Sequence, residues 1–207
     1  HLLENITLLL EPGRSIISDA GICLTTVRNK KERPVGEINS IIQDKMDSRN
    51  RKENFEGKTS FGITSMKISY GNPNIDKETW LLTDAGFNIL LSMETYKWYY
   101  HLISAERAGD AHDYPYKLAG PLCDGGDVYF DIESKRGSRL PAYRLLPENI
   151  QPNEILALLN CGAYSIAQMF QYNGRFLPAV VLIRENGTVE LIRKRDVYED
   201  LLINDIW

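Results

Sequence analysis

The sequence predicts a mainly β protein with some α-helix, of the α+β class, in which one strand–helix unit precedes a separate β domain. Three observations support this prediction. The continuous apolar run at Ile6–Gly13 ends in Pro-Gly, which is typical of a strand buried on both faces. Many later segments alternate apolar and polar residues, which is typical of strands. Two such runs flank Asn186-Gly187, the dipeptide preferred in type I′ hairpin turns.

The first half of the chain contains two strand regions around a polar stretch. After the first strand, the sequence predicts a short helix that begins near Arg14 and then a β-branched strand that runs into charged residues. Residues 30–58 are rich in charged and amide side chains, so we expect an exposed, flexible insertion there. SFGITSMKISYG and TWLLTDAGFN predict two strands that the turn GNPN separates.

The second half predicts further short strands and a terminal helix. TYKWYYHLISA has large residues on both faces, which predicts a strand that is packed on two sides or lies at an interface, so its tyrosines and Trp98 are interpreted as core or interface residues. YKLAGPL and EILALL predict two more strands, and a helix-like segment follows Gly162. The hairpin at Asn186-Gly187 comes next, and RDVYEDLLINDIW predicts a short helix.

Composition limits the class of protein. The 207 residues are enough for one core, and 43% hydrophobic with 25% charged residues is ordinary for a soluble protein. A net charge of −4 argues against a nucleic-acid partner, and no apolar run approaches the roughly 18 residues that span a bilayer. Three widely spaced cysteines fit a cytoplasmic location better than a disulfide framework. Because the chain starts at His1 with an apolar strand close behind, we expect a fragment or a processed piece.

The segment EPGR, Glu11 to Arg14, lies at the end of the first predicted strand. Its glycine allows a ligand to approach the backbone, and the helix that begins beyond it offers free N–H groups to an anion. Arginine adds a planar donor for phosphate or carboxylate. The alternative is a capped strand–helix turn with an ion pair at the surface.

Two further segments combine glycine with a chemically useful side chain. In CDGGD, Cys123 lies between glycines and acidic residues, where Asp124 and Asp127 would raise the thiol pKa and make it a proton donor rather than a nucleophile. The alternative is a plain glycine-rich hairpin turn. In NCGAY, Gly162 precedes Tyr164 at a strand end, which suits phosphate binding; the alternative is a core tyrosine at a helix start.

Several other types of site are excluded by spacing. GKTS at Gly57 resembles the end of a phosphate-binding P-loop, but Lys52 occupies the position of the required first glycine. The three histidines lack metal-ligand spacing and no CxxC pair occurs, so we expect no metal site. No GxSxG nucleophile motif is present.

The order EPGR, CDGGD, GAY resembles the ornithine, diaminopimelate and arginine decarboxylases, the fold-type III enzymes that use pyridoxal 5′-phosphate. The segments LTDAGFN and NGRFLPAVVLI are also similar to this family, whereas 30–76 shows no similarity. The resemblance implies that residues 1–24 are the end of a cofactor-binding (β/α)8 barrel. It implies that 25–207 form the C-terminal β domain, a sheet or barrel. The Schiff-base lysine of the family lies in an early barrel strand, so the chain alone would lack it, and Lys67 is in the wrong place to replace it.

The resemblance also implies roles for individual residues. Glu11 would face the pyridine nitrogen of the cofactor, and Gly13 would present backbone to its phosphate. Arg14 would bind that phosphate or the far end of the substrate, and Tyr164 would bind the phosphate and contact the substrate. Tyr96 would contact the substrate as well.

In the family, the cysteine turn reaches the active site of a partner subunit. The resemblance therefore implies a homodimer with shared sites, in which Cys123 protonates the carbon left after carbon dioxide departs and Asp124 contacts the distal amine of an amino-acid substrate. The N-terminal barrel segment of the same enzyme would be the other partner.

Three positions depart from the family pattern. Ser92 stands where diaminopimelate decarboxylases have an arginine for the distal carboxylate, Lys97 where ornithine-type enzymes have an aspartate, and Gly125 replaces a commoner serine. Lys97 would repel a distal amine unless it points away. This mixture suggests another amino acid, free or carrier-linked, as the substrate.

The sequence thus favours the C-terminal part of an amino-acid decarboxylase. A non-catalytic regulatory or binding homologue of such enzymes is the alternative, and retained Cys123 and Asp124 disfavour it. A stand-alone β domain that binds a phosphate ligand is a third hypothesis.

Overall fold

The molecule is described by a computed structural model that covers residue 7 and residues 9–34, 77–131 and 140–206. Within these ranges, most regular structure is short strands. The strands are β1 (Cys23–Pro34), β2 (Lys77–Thr83), β3 (Leu102–Ser104), β4 (Tyr114–Ala119), β5 (Arg144–Leu146), β6 (Ile155–Leu158), β7 (Val180–Ile183) and β8 (Val189–Arg193). The α-helices are α1 (Arg14–Ile17), α2 (Leu91–Thr95) and α3 (Tyr198–Leu201). No helix in the described ranges is both long and apolar enough to cross a membrane.

Six of the strands form one sheet in the order β3-β6-β1-β2-β4-β5, and β7 pairs with β8 in a separate hairpin. Neighbouring strands are antiparallel except for β2 and β4, which are parallel. The two edge strands, β3 and β5, contact each other, so the sheet curls into a nearly closed barrel. This confirms the predicted mainly β class.

The core fills the interior of this curled sheet. It includes leucines from β2 to β6, Met93 from α2 and three fully buried tyrosines: Tyr100, Tyr116 and Tyr129. Each of these phenols has a hydrogen-bond partner, as buried hydroxyls require. Tyr116 donates to the carbonyl of Pro147, and Tyr129 donates to the carbonyl of Ala85.

The prediction of a buried first strand is wrong for the described part of this chain. Leu9 and Leu10 are 84% and 74% exposed and belong to no strand. A strand of the parallel type is stabilised by neighbouring strands on both edges, and no described strand pairs with this segment. The short helix after it is confirmed as α1.

The first residues of the predicted flexible insertion, 30–34, form a strand instead. Residues 30–34 belong to β1 and pair with β2, from Lys30 opposite Leu81 to Pro34 opposite Lys77. The charged side chains of these residues are largely exposed, as they would also be in a loop. Composition alone therefore suggested a loop. Residues 35–76, with the predicted strand SFGITSMKISYG, Lys67 and the turn GNPN, lie outside the described residues.

The aromatic segment after α2 is only partly a strand. Lys97 adopts a left-handed backbone with φ of 54°, so an extended strand cannot run through it, and β3 begins at Leu102. The helix expected after Gly162 is reduced to a 3₁₀ turn at Ile166–Gln168. The strands in YKLAGPL and EILALL and the terminal helix are confirmed as β4, β6 and α3.

The β7–β8 hairpin is confirmed, but its turn type was predicted wrongly. Gly187 has a φ of 81°, whereas Asn186 is not among the described residues with positive φ, and a type I′ turn needs both. The Gly187 amide donates to the Arg184 carbonyl at 2.8 Å, and the Arg184 amide donates to the Thr188 carbonyl at 2.8 Å. These hydrogen bonds close a loop that is wider than two residues and contains Gly187 in the left-handed conformation.

Candidate functional site

A cleft of about 520 Å³ lies where the first segment of the chain meets the curled sheet. It brings together four residues that the sequence assigned to a site, Glu11, Gly13, Arg14 and Tyr164, although they are up to 153 positions apart in the chain. The complete lining is Glu11, Pro12, Gly13, Arg14, Ser15, Trp98, Tyr99 and Tyr164. The convergence of EPGR with GAY is therefore a property of the fold.

Gly13 and Tyr164 are in direct contact. A Cβ atom at Gly13 would lie 2.0 Å from the Tyr164 hydroxyl oxygen, so a larger residue there would displace this hydroxyl. Tyr164 itself has a φ of 56°, which a bulky side chain rarely adopts. Backbone strain of this kind is concentrated at functional sites. The hydroxyl is thereby placed against the peptide groups that start α1.

Gly162 positions the loop that carries Tyr164. A Cβ at Gly162 would lie 1.8 Å from the Ile17 carbonyl oxygen, and the Gly162 amide donates to the Ser18 carbonyl at 2.9 Å. The amide of Cys161 donates to the Gly21 carbonyl at 2.8 Å. The glycine predicted to suit phosphate thus serves close packing of two backbones, and this packing fixes the tyrosine.

Arg14 lies flat on an indole ring. Its guanidinium carbon is 3.7 Å from the Trp98 ring centroid, and Nη2 donates to the Tyr100 hydroxyl at 3.4 Å. Its Nε is buried without a hydrogen-bond partner in the described part of the chain. The sequence predicted Arg14 as a ligand-binding residue but treated Trp98 as core or interface. The sequence feature that could have identified Trp98 as a site residue is the run of aromatic residues with large side chains on both faces.

Tyr96 is adjacent to the cleft but does not line it. Its ring centroid is 5.0 Å from that of Trp98, which in turn is 5.5 Å from that of Tyr164. Ser92 is fully buried, and its hydroxyl pairs with that of Tyr100 at 2.5 Å. The hydroxyl at position 92 is therefore occupied inside the core.

The cysteine turn does not contribute to the lining of the cleft. Cys123 is exposed and free, and its amide donates to Asn173 Oδ1 at 2.8 Å. Asp124 accepts from the Gly126 amide at 2.7 Å and from the Tyr172 hydroxyl at 3.0 Å, so the pKa of that phenol is raised. Neither Cys123 nor Asp124 lines the cleft.

Asp127 holds the base of the turn. It is only 3% exposed and accepts from the amides of Phe87 and Leu122 at 2.9 and 2.8 Å. Burial raises its pKa despite these two hydrogen bonds. A Cβ at Gly120 would lie 2.2 Å from Asp127 Oδ2, which explains the glycine before the turn. Asp127 is structural, a role that the sequence alone did not distinguish from that of Asp124.

The charge of Lys97 is neutralised by a neighbour. Its Nζ lies 2.6 Å from Glu94 Oε2. Glu94 is close to the cysteine turn, since a Cβ at Gly126 would lie 3.5 Å from its Oε1. Lys97 therefore does not present a free cation beside Asp124.

Comparisons with known proteins identify the family of this chain. Residues 15–162 match the family described as pyridoxal-dependent decarboxylase, C-terminal sheet domain. The diaminopimelate decarboxylase of Methanothermobacter thermautotrophicus is 33% identical over 93% of this chain and 32% of its own length. That of Aquifex aeolicus is 31% identical over 96% of this chain and 34% of its own length.

Solved structures give the same result. The diaminopimelate decarboxylase of M. jannaschii, crystallised in co-complex with L-lysine, matches 95% of this chain and 32% of that structure with a TM-score of 0.63 and 27% identity. AQ1208 from Aquifex aeolicus matches 99% of this chain and 38% of that structure with a TM-score of 0.61 and 30% identity. The chain spans about one third of the length of these relatives.

Proposed function

This chain belongs to the pyridoxal-dependent decarboxylases as their C-terminal sheet domain, and we propose that it is the C-terminal portion of an amino-acid decarboxylase. We assign residues 1–24 to the end of a cofactor-binding barrel and 25–207 to the sheet domain. The single observation that carries the proposal is the meeting of Glu11, Gly13, Arg14 and Tyr164 in one cleft. Catalysis requires the barrel segment that the longer relatives contain.

The cleft residues fit pyridoxal 5′-phosphate. Gly13 leaves room where a Cβ would fill the space beside the Tyr164 hydroxyl, so backbone N–H, phenol and the Arg14 guanidinium can together hold a phosphate. The carboxylate of Glu11 would hold a proton at the ring nitrogen. When bound, the cofactor supplies the electron sink that loss of carbon dioxide requires.

We assign Cys123 to proton delivery and Asp124 to the distal amine of the substrate. The thiol is exposed, free and held by its own backbone, which suits a group that must meet a second molecule. Cys123 and Asp124 do not line the cleft of their own chain. We therefore assign the turn to the site of a partner subunit in a homodimer.

The distal contacts point to an amino acid bound differently from the substrate of the relatives named above. Ser92 is buried against Tyr100 and cannot reach a ligand, and Lys97 is paired with Glu94. Of the three distal positions, only Asp124 therefore remains available to contact the substrate, and its carboxylate suits a substrate amine. The three free cysteines support a cytoplasmic location.

The test joins this chain to its barrel segment and measures carbon dioxide release from a panel of basic and acidic amino acids. Turnover on one of them with the cofactor bound is the expected result. Cofactor binding without turnover on any amino acid would contradict the proposal and favour the non-catalytic regulatory homologue. In the assembled enzyme, Cys123→Ala should slow or misdirect protonation while cofactor binding stays intact.

A further inference from the structure

Arg144, on β5, is a buried cation that forms no ion pair with the residues that the structure describes. Its side chain is 3% exposed, and its one described hydrogen bond runs from Nη2 to the carbonyl of Tyr129 at 3.1 Å. Nε and Nη1 are buried and have no hydrogen-bond partner among the described residues. A desolvated guanidinium normally has a carboxylate beside it, because burying an unpaired charge is costly.

The ring of Tyr99 separates Arg144 from the cleft. The guanidinium carbon lies 4.3 Å from the Tyr99 ring centroid, and Tyr99 is 50% exposed and lines the cleft. One face of this ring therefore covers a hidden cation, while other parts of the side chain are open to solvent. A half-exposed side chain can change rotamer without disturbing a core.

Trp98, the residue before Tyr99, is also stacked against an arginine. Trp98 and Tyr99 are consecutive, both line the cleft, and each carries a stacked guanidinium, from Arg14 and Arg144 respectively. Both guanidinium groups have a buried Nε with no described partner. Arg14 lines the cleft and Arg144 lies behind the Tyr99 ring, and neither guanidinium is fully hydrogen-bonded among the described residues. Together they give this end of the cleft a positive potential.

We propose that Arg144 is an anion-binding residue of the cleft, which a carboxylate or phosphate oxyanion engages when the Tyr99 ring moves aside. The free N–H donors of a guanidinium are suited to these oxyanions. The attraction is large because the cation is already desolvated. The proposal concerns the same cleft as the proposed function but does not depend on turnover.

The experiment uses the full-length enzyme, made of this chain with its barrel segment. Calorimetry measures binding of inorganic phosphate to the cofactor-free enzyme and of glutarate to the cofactor-loaded enzyme. The two arms distinguish a phosphate from a carboxylate as the ligand. We expect Arg144→Met to weaken binding about tenfold or more in at least one arm, and Arg144→Lys, which keeps the charge but not the planar donors, to retain only part of it. Arg184→Met, an exposed arginine paired with Glu190, is the control and should leave both affinities unchanged.

Tyr99→Ala provides an independent test at a half-exposed position that does not threaten folding. Since it uncovers the cation, anion binding should be at least as tight as in the parent enzyme, and adding Arg144→Met should abolish the gain. Unchanged binding in both arms with Arg144→Met would overturn the proposal, whether or not the enzyme turns over any amino acid. An absence of turnover with anion binding lost in Arg144→Met would count only against the proposed function.

Discussion

At the scale of single residues, the contact between Gly13 and Tyr164 is the most exacting feature of the cleft. The tyrosine adopts a left-handed backbone, and its hydroxyl occupies the space beside Gly13 that a Cβ atom would fill. The identities of both residues were readable in the sequence as EPGR and GAY. Their contact was not, because it depends on Gly162 packing against Ile17, which only the fold establishes.

Gly13→Ala should weaken binding of pyridoxal phosphate in the enzyme joined to its barrel. The added methyl would occupy the place of the Tyr164 hydroxyl and displace it. Loss of one hydrogen bond to a charged phosphate is worth about 1.5–3 kcal/mol, or roughly a tenfold to hundredfold rise in Kd. Titration of the cofactor absorbance measures this change. Gly109→Ala, at a glycine with open space around it, is the matched control. Equal affinities in both variants would remove Gly13 from the site.

Asp127→Asn should destabilise the cysteine turn. Asp127 accepts from two amides with two oxygens, whereas an asparagine side chain has only one acceptor oxygen, so one buried N–H would lose its partner. The expected cost is about 1–3 kcal/mol of unfolding free energy, measured by denaturant titration. Hydrogen exchange at Phe87 and Leu122 should show which amide is released. An unchanged stability would mean that the turn does not depend on this carboxylate.

At the scale of elements, Glu78 ties β2 to β4. Burial alone would raise its pKa, but hydrogen bonds from Lys117, Trp80 and Tyr143 outweigh burial and lower the pKa below 4.5. The Lys117 ammonium lies 2.7 Å from Glu78 Oε1 and 5.2 Å from the Trp80 ring centroid. A lowered carboxyl pKa stabilises the folded state above the unfolded pKa.

The stability of the parent protein should therefore fall as pH drops below about 4.5 through the folded pKa of Glu78. Glu78→Gln should flatten this part of the profile and cost about 3 kcal/mol at neutral pH, because Lys117 then remains partly buried and unpaired. Denaturant unfolding across pH 3–7 gives both quantities. A Glu78→Gln profile that keeps the same slope as the parent would contradict the assignment.

Gly187→Ala should destabilise the β7–β8 hairpin. Gly187 has a φ of 81°, which costs an L-residue about 1–2 kcal/mol. The position of this hairpin was predicted from Asn186-Gly187, but its turn type was not, because loop length depends on the register of the flanking strands. Thermal unfolding monitors the loss, with Gly109→Ala again as control. Equal melting temperatures for both variants would contradict a left-handed requirement.

At the scale of the whole molecule, strand patterns predicted the β class and most later strands. The aromatic segment was misread because Lys97 takes a left-handed conformation that side-chain alternation does not signal. The first strand was predicted as buried because Leu9 and Leu10 are apolar, yet both are exposed here. Apolar side chains indicate that a segment needs apolar neighbours. The sequence alone does not show whether those neighbours belong to the same chain.

The proposed sharing of sites between subunits predicts complementation. Enzyme carrying Cys123→Ala should form the normal product slowly, because protonation is slowed or misdirected, and enzyme carrying Arg14→Ala should bind the cofactor weakly. Each variant therefore lacks a different residue of every shared site. After mixing and subunit exchange, hybrid dimers contain one intact site, so roughly a quarter of the parent activity should return. Decarboxylation assays before and after exchange measure the recovery. No recovery with exchange verified by mass spectrometry would place Cys123 and Arg14 in the same subunit's site.

The strand order has a consequence for synthesis of the protein. β6 lies between β3 and β1 and pairs with both, but it is translated after both of them. About 155 residues of this chain must therefore be synthesised before the sheet can curl closed. Until then, one edge of β1 lacks its hydrogen-bonding partner and can pair with another polypeptide. Holdase chaperones should accordingly engage the nascent chain between the emergence of β1 and that of β6, and release it soon afterwards.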